Sequence, residues 1–318
     1  MNWTGKKVLV TGAGGFIGSH LAEELTRRGA STRAMVRYVA NGGRGHLDES
    51  LLAGDIEIYA GDVTDQSSIT KAMEGIDIVF HLAALIDVPY SYEAPESYIR
   101  TNVLGTLKVL QAARAIGVQR LVQTSTSEVY GSALYVPMDE NHPLRAQSPY
   151  AASKIGADKL AEAFHASFQL PVTIVRPFNT YGPRQSIRAV IPAIIMQCLT
   201  RDEVHIGATS PTRDFTYVGD TVAGFIAAAE SDRVIGETLN LGTGIEVSIG
   251  DLARRIGCLS GRDVTIVTDH EMLRPSKSEV TRLCSNNRRA CELIGWHPVV
   301  EFDQGLADTI AWARDNSK

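Results

Sequence analysis

The chain has 318 residues, 44% of them hydrophobic, and a formal net charge of −5. That length supports one large domain or two smaller ones sharing a cleft, and the mild acidity excludes a general attraction to nucleic acid or an anionic membrane surface. No apolar run approaches the roughly 18 residues that span a bilayer, and Val8-Leu9-Val10 is too short for a signal-peptide core, so a cytoplasmic protein is expected.

Lys7–Thr11 reads as a short apolar strand, and Phe16–Arg28 as a helix with Ile17, Leu21 and Leu25 on one face. Strands follow at Thr32–Val36 and Asp55–Ala60, with Asn41-Gly-Gly-Arg-Gly45 as a flexible loop between them. Ile69–Met73 suits a short helix, Asp77–Leu82 a buried strand, Tyr98–Ile116 one long helix and Arg120–Ser125 a fifth strand. A second long helix, Pro149–Phe168, leads to strand Val172–Arg176. Continuous apolar strands alternating with helices predict an α/β fold, a doubly wound parallel Rossmann sheet covered on both faces.

After Arg176 the pattern breaks at Pro177, Gly182, Pro183 and Pro192. A helix near Val190–Thr200 and short strands follow, and Thr221–Glu230 with Thr238–Leu241 reads as a return to the large sheet. From Gly242 short helices mix with a strand at Val264–Val267. The expected organisation is a dinucleotide-binding domain over 1–177 and 216–242, with a smaller discontinuous α/β substrate-binding domain over 178–215 and 243–318. Cys198, Cys258, Cys284 and Cys291 show no C-x-x-C spacing, so free thiols are expected. The histidines take no metal-ligand spacing and no metal site is expected.

Gly12, Gly15 and Gly18 join the first strand to the first helix in a G-x-x-G-x-x-G spacing. Glycines there permit a tight turn and close approach of a pyrophosphate to the helix N-terminus, so a dinucleotide is expected. Asp62 and the Val63 backbone, after the third strand, are placed to hydrogen-bond adenine. Where NAD-binding chains carry an acid at the end of the second strand, this one has Met35-Val36-Arg37-Tyr38, with Arg44 in the loop beyond. An arginine suits a 2′-phosphate, which favours NADP over NAD.

Tyr150 and Lys154 stand four apart near the start of the second long helix, hence on one face. A phenol is a poor base at neutral pH, and a neighbouring lysine cation favours the phenolate. Thr124-Ser-Thr-Ser-Glu128 lies at the end of the fifth strand, where open α/β sheets place their chemistry. Thr126 would bond a substrate hydroxyl and tune its proton transfer to Tyr150.

Gly12–Gly18, Thr126, Tyr150 and Lys154 together resemble the extended short-chain dehydrogenase/reductases that act on nucleotide sugars. The resemblance extends through His81-Leu-Ala-Ala84, Arg176-Pro-Phe-Asn179, Tyr181-Gly-Pro183, Arg213-Asp-Phe-Thr-Tyr217 and Asn240-Leu-Gly-Thr-Gly244. It implies a dinucleotide held by Gly12, Gly15, Phe16, Ile17, Gly18, Arg37, Asp62, Val63, Leu82, Ala83, Ala84 and Asn102 together with Tyr150 and Lys154, with His81 also on the nicotinamide side. It implies a sugar-nucleotide diphosphate held by Asn179, Arg213 and Arg274. It also implies a homodimer paired through Tyr98–Ile116 and Pro149–Phe168, with Val103, Leu107, Leu110, Ile155, Leu160 and Phe164 as the apolar surface.

Glu128 separates the reactions open to this family. A 4-epimerase needs only oxidation and re-reduction at C4, whereas a 4,6-dehydratase must also remove the C5 proton, which a carboxylate two residues from Thr126 can do. Thr-Ser-Glu is similar to dehydratases acting on GDP-mannose and also to UDP-glucuronate decarboxylases. Because Ser127 stands where dTDP-glucose dehydratases carry Asp, the proton for the departing C6 hydroxyl can come from Ser127, Glu128 or water. Longer segments, Val88–Pro95, Gln147–Lys154 and Gly182–Pro192 among them, look most like bacterial nucleotide-sugar 4,6-dehydratases of legionaminic-acid pathways, which implies GDP-N-acetylglucosamine as substrate. A non-catalytic dinucleotide-binding regulator would not need Thr126, Tyr150 and Lys154 together.

Overall fold

The structure, a computed structural model, describes residues 1–273, 275 and 277–316. Arg274, expected to contact substrate, lies outside the described residues. The first half alternates: β1 (Lys7–Thr11), α1 (Phe16–Arg27), β2 (Ser31–Val36), β3 (Glu57–Ala60), α2 (Gln66–Ala72) and β4 (Ile78–His81). Two short helices, α3 (Val88–Glu93) and α4 (Pro95–Tyr98), precede α5 (Gly105–Ile116), β5 (Arg120–Thr124), α6 (Pro149–Phe168) and β6 (Val172–Pro177). Then come β7 (Asn179–Tyr181), α7 (Val190–Thr200), β8 (Glu203–Ile206), β9 (Thr212–Tyr217), α8 (Val218–Glu230) and β10 (Thr238–Leu241). The chain closes with β11 (Glu246–Ser248), α9 (Ile249–Leu259), β12 (Thr265–Thr268), α10 (Arg288–Ile294) and α11 (Phe302–Asn316).

Seven parallel strands in the order β10-β6-β5-β4-β1-β2-β3 make the main sheet. Successive side chains of one strand face opposite sides, and both sides are buried here. Val8 and Val10 join Leu21, Phe80 and Phe225 in one apolar cluster, while Leu9 between them joins Val79, Val109 and Leu121 in another. Burial on both faces is why these strands are apolar runs without alternation. A second body packs Ile194, Ile195, Val204, Leu252, Leu306 and Ile310 into its own core beside the three-stranded β11-β9-β7 and two-stranded β12-β8 sheets. Strand order reverses between β1 and β4, which opens a crevice at their carboxyl ends.

The structure corrects several local expectations. Tyr98–Ile116 is not one α-helix: Ile99–Leu104 is a π-helical segment between α4 and α5. There the Thr106 hydroxyl takes the Asn102 carbonyl at 2.6 Å, and such widened turns tend to sit at functional sites. Helix α3 was not anticipated, although Asp87 caps it by accepting the Tyr90 N–H at 2.9 Å and a proline sits in its first turn. The loop over Asn41–Gly45 ends pinned: His46 N–H donates to the Gly14 carbonyl at 3.1 Å, and Leu47 is fully buried. Leu110 and Phe164, expected on an exposed apolar surface, belong instead to the core beneath α5 and α6. The exposed apolar side chains of this region include Ile99, Leu104, Ile116 and Phe168.

Candidate active site

Gly12 turns the chain from β1 toward α1 with φ +71°, and a Cβ there would stand 2.8 Å from the Ala83 nitrogen. The glycine thus lets the turn touch the segment leaving β4, at the strand-order reversal. At Gly18 a Cβ would lie 2.2 Å from the Gly12 carbonyl oxygen, so only glycine lets the helix close on its own turn. Gly15 caps α1 without a side-chain hydrogen bond, and the first turn holds no acidic residue. A helix start with uncapped N–H groups and no carboxylate fits a phosphate. Leu82 and Ala83 N–H both donate to Thr11 Oγ1 at 3.2 Å, and Leu82, Ala83, Ala84, Phe16 and Ile17 are half-buried along the crevice.

At the crevice's outer end Asp62 is exposed, its Oδ1 accepting the Thr64 N–H at 2.7 Å and hydroxyl at 2.8 Å. Val63 beside it is buried, 3.1 Å from where a Cβ on Gly105 would sit. Arg37 and Arg44 are both exposed beyond β2.

His81 and Asn102 are enclosed, at 2% and 1% exposure. Thr11 Oγ1 already accepts two N–H groups, so its proton goes to His81 Nδ1 at 2.7 Å. Thr106, whose proton goes to the Asn102 carbonyl, receives His81 Nε2–H at 3.1 Å. That network fixes a neutral ring, and burial with the Lys154 charge lowers its pKa to about 3. Asn102 Oδ1 accepts the Leu85 N–H at 2.8 Å, and its Nδ2 donates to the Leu85 carbonyl and Ser153 Oγ, both at 2.9 Å. Asn102 thus holds the turn after β4, while His81 ties the end of β4 to Thr11 and Thr106.

Helix α6 starts where Ser148 caps it, accepting the Ala151 N–H at 3.1 Å, with Pro149 in its first turn. That start places Tyr150, at 7% exposure, under the edge of the Tyr98 ring at 6.2 Å. Burial raises the Tyr150 pKa and the Thr126 hydroxyl, hydrogen-bonded to the phenol, pulls it down, while the Glu128 charge pushes it up. Lys154 was expected to face the phenol as its cation. Its ammonium instead donates to the Thr124 carbonyl at 2.5 Å, and burial lowers its pKa to about 8. Thr126 is extended (φ −162°) and caps the 3₁₀ turn Ser127–Tyr130 by accepting the Glu128 N–H at 3.2 Å. Ser127 is 2% exposed and Glu128 half-buried. Thr126, Glu128, Tyr150 and Lys154 are therefore gathered at the carboxyl end of β5.

Across the crevice, Asn179 begins β7 with a buried Oδ1 that has no hydrogen-bond partner among the described residues. Arg213, on β9, is 7% exposed and gives Nη1 to the Thr212 carbonyl at 2.9 Å and Nη2 to Glu279 at 3.2 Å. The sequence reading overlooked Glu279 and the buried pair Asp158–Arg176. Asp158 carried a legible signal, a carboxylate one helical turn after Lys154. Glu279 carried none, because only the fold brings it to Arg213. Among the described residues no group of three or more His, Cys, Asp or Glu side chains could hold a metal, and no helix is long and apolar enough to cross a membrane.

A family model described as GDP-mannose 4,6-dehydratase matches residues 9–309. A UDP-N-acetyl-alpha-D-glucosaminuronate decarboxylase of Bacillus cytotoxicus is 36% identical, with 98% of each chain covered. A dTDP-glucose 4,6-dehydratase of Actinoplanes is 33% identical over the same shares. The solved dTDP-glucose 4,6-dehydratase of Streptomyces venezuelae with NAD bound is 31% identical and superposes with a TM-score of 0.88, covering 98% of this chain and 97% of its own. The glycine turn on β1 and the Tyr150–Lys154 helix beside β5 thus sit in a chain that belongs, over nearly its whole length, to the GDP-mannose 4,6-dehydratase family of extended short-chain dehydrogenase/reductase enzymes, the NAD-dependent epimerases and dehydratases.

Proposed function

We propose that the protein is a nucleotide-sugar 4,6-dehydratase. The observation that carries this reading is Glu128, a half-buried carboxylate two residues beyond Thr126 and close enough for its charge to act on Tyr150. Residues 1–177 and 216–242 form the dinucleotide-binding part, and 178–215 with 243–318 the substrate-binding part. The glycine turn, the uncapped start of α1 and the Leu82–Ala84 edge hold the cofactor, with Asp62 and Val63 at its adenosine end. NAD is supported by the bound cofactor of the S. venezuelae neighbour. Exposed Arg37 and Arg44 are the side chains a 2′-phosphate would meet, so the ratio of NADP⁺ to NAD⁺ affinity decides between the two.

The bound nicotinamide supplies the hydride acceptor for C4 and the donor for C6. Thr126 orients the C4 hydroxyl, and Tyr150 takes its proton. Lys154, protonated up to about pH 8, holds the ribose and the charge balance. Glu128 removes the C5 proton made acidic by the 4-keto group, and the C6–oxygen bond breaks with loss of water. Ser127 is almost enclosed, which favours Glu128 as the group that returns a proton to the departing hydroxyl. Asn179, Arg213 and Arg274 hold the diphosphate.

A decarboxylase is the second reading, favoured by the 36% identical relative acting on a glucosaminuronate. The experiment is incubation with GDP-, UDP- and dTDP-sugars in deuterated water, beginning with GDP-N-acetylglucosamine, to which the longer sequence segments point, and including a uronate. Loss of one water with deuterium at C5 supports the dehydratase. Carbon dioxide from a uronate alone supports the decarboxylase, and an isomer of unchanged mass a 4-epimerase.

A further inference from the structure

One turn along α6 from Lys154, Asp158 is wholly buried. Its Oδ2 accepts the Ser125 hydroxyl at 2.7 Å and Arg176 through Nε at 3.2 Å and Nη2 at 3.0 Å. Its Oδ1 has no hydrogen-bond partner among the described residues. Arg176, 2% exposed, also donates to the Tyr130 hydroxyl at 3.0 Å, and Tyr130 donates to Asn240 at 2.7 Å. A buried ion pair with a carboxylate oxygen left unpaired is poor value for stability, because the desolvation cost of both charges rivals their attraction. The location of the pair suggests another use. Ser125 lies between Thr124, whose carbonyl receives the Lys154 ammonium at 2.5 Å, and Thr126, whose hydroxyl meets Tyr150.

We propose that Asp158 and Arg176 are positioning residues for Lys154: the pair clamps Ser125 between the two threonines and holds the lysine in its ammonium form. This rests on the reading of Lys154 as the side chain that holds the cofactor ribose. The groups around Lys154 make the charge argument specific. His81, on β4, is neutral through its hydrogen bonds to Thr11 and Thr106. Tyr150 stands on α6 itself, with Tyr98 of α4 and Glu128 of the 3₁₀ turn facing its phenol rather than the ammonium. Asp158 is the anion that counters the effect of burial on Lys154, and Arg176, on β6, balances Asp158. Removing the carboxylate takes away the anion that counters burial at the ammonium and leaves the Arg176 guanidinium unbalanced. Removing the guanidinium leaves an unbalanced carboxylate. The two changes move the lysine's titration in opposite directions, which a packing defect does not do.

The test is NAD⁺ affinity by calorimetry from pH 6 to 10 for the wild type, Asp158→Asn, Arg176→Gln, the double variant and Lys154→Ala. Wild-type affinity should fall through a midpoint near pH 8 that Lys154→Ala lacks. Asp158→Asn should lower the midpoint by about one pH unit or more and Arg176→Gln raise it by a similar amount. The double variant, which keeps the charge balance, should return it to the wild-type value. Should one single variant fail to fold, the direction of the other against the double variant still decides. Midpoints that stay at the wild-type value while affinity drops evenly across pH overturn the proposal and make the pair purely structural. A wild-type profile with no midpoint dependent on Lys154 overturns the reading of Lys154 itself, and the role of the pair with it.

Discussion

Mild acid should destabilise this protein through His81. In the folded chain its ring is held neutral, with a pKa lowered to about 3 from an ordinary 6.5 by burial and the Lys154 charge. The unfolded chain therefore binds the proton more readily than the folded one between those values. Stability is complete above about pH 6.5 and declines as the pH falls toward 3, in contrast to a histidine that gains an acidic partner. Each pH unit of difference is about 1.4 kcal/mol, so the decline amounts to about 2 kcal/mol at pH 5 and at most about 5 kcal/mol near pH 3. The assay is urea denaturation of the wild type and His81→Asn at matched pH values from 7.5 to 4.5. The variant should be weaker near neutral pH, by about 1–3 kcal/mol for the hydrogen bond lost at Thr106, but its stability should fall less steeply in acid. The gap between the two proteins should narrow by about 1.4 kcal/mol per unit below pH 6. Parallel curves over that range would refute a neutral His81 fixed between Thr11 and Thr106.

Glu128→Gln should keep cofactor affinity and the first oxidation while losing about 10²–10⁴-fold in turnover. The stalled protein would accumulate reduced cofactor, seen by its absorbance, and would place no solvent deuterium at C5; near-normal turnover points to epimerase chemistry. Tyr150→Phe should remove turnover by a similar factor while NAD⁺ titration stays near wild type, and retention of more than about a hundredth of the rate would exclude Tyr150 as the base. Gly18→Ala forces a Cβ to within 2.2 Å of the Gly12 carbonyl, so it should lower Tm and cofactor affinity together, at a cost of about 1–3 kcal/mol for overpacking; an unchanged Tm would show that the turn relaxes. We also expect a homodimer in sedimentation at micromolar concentration. Ile99, Leu104 and Phe168, each close to half exposed on or beside α5 and α6, should lie in its interface, and Leu104→Glu should yield monomer. A wild-type monomer would overturn that assembly.

What the sequence determined by itself is local. The glycine spacing at Gly12, Gly15 and Gly18, the four-residue step from Tyr150 to Lys154 and the apolar runs of β1, β4 and β5 depend on neighbours along the chain, where a few dihedral angles and one helical period decide the geometry. The same holds for α6, bounded by Ser148 and Pro149 at one end and by a left-handed residue, Gln169, at the other. What lies between distant segments was decided by tertiary structure. Whether Leu110 and Phe164 face solvent or core depends on which sheet face their helices cover, and both belong to the core beside Leu121 and Val172. Whether His81 is a crevice residue or a buried neutral ring depends on Thr11 and Thr106, brought to it by β1 and α5. The direction in which Lys154 gives its ammonium, and the burial of Asp158 with Arg176, likewise follow from packing α6 on the ends of β5 and β6. The charge state of a buried group is set by the dielectric and partners that surround it, and those are assembled only when strands far apart in sequence lie side by side.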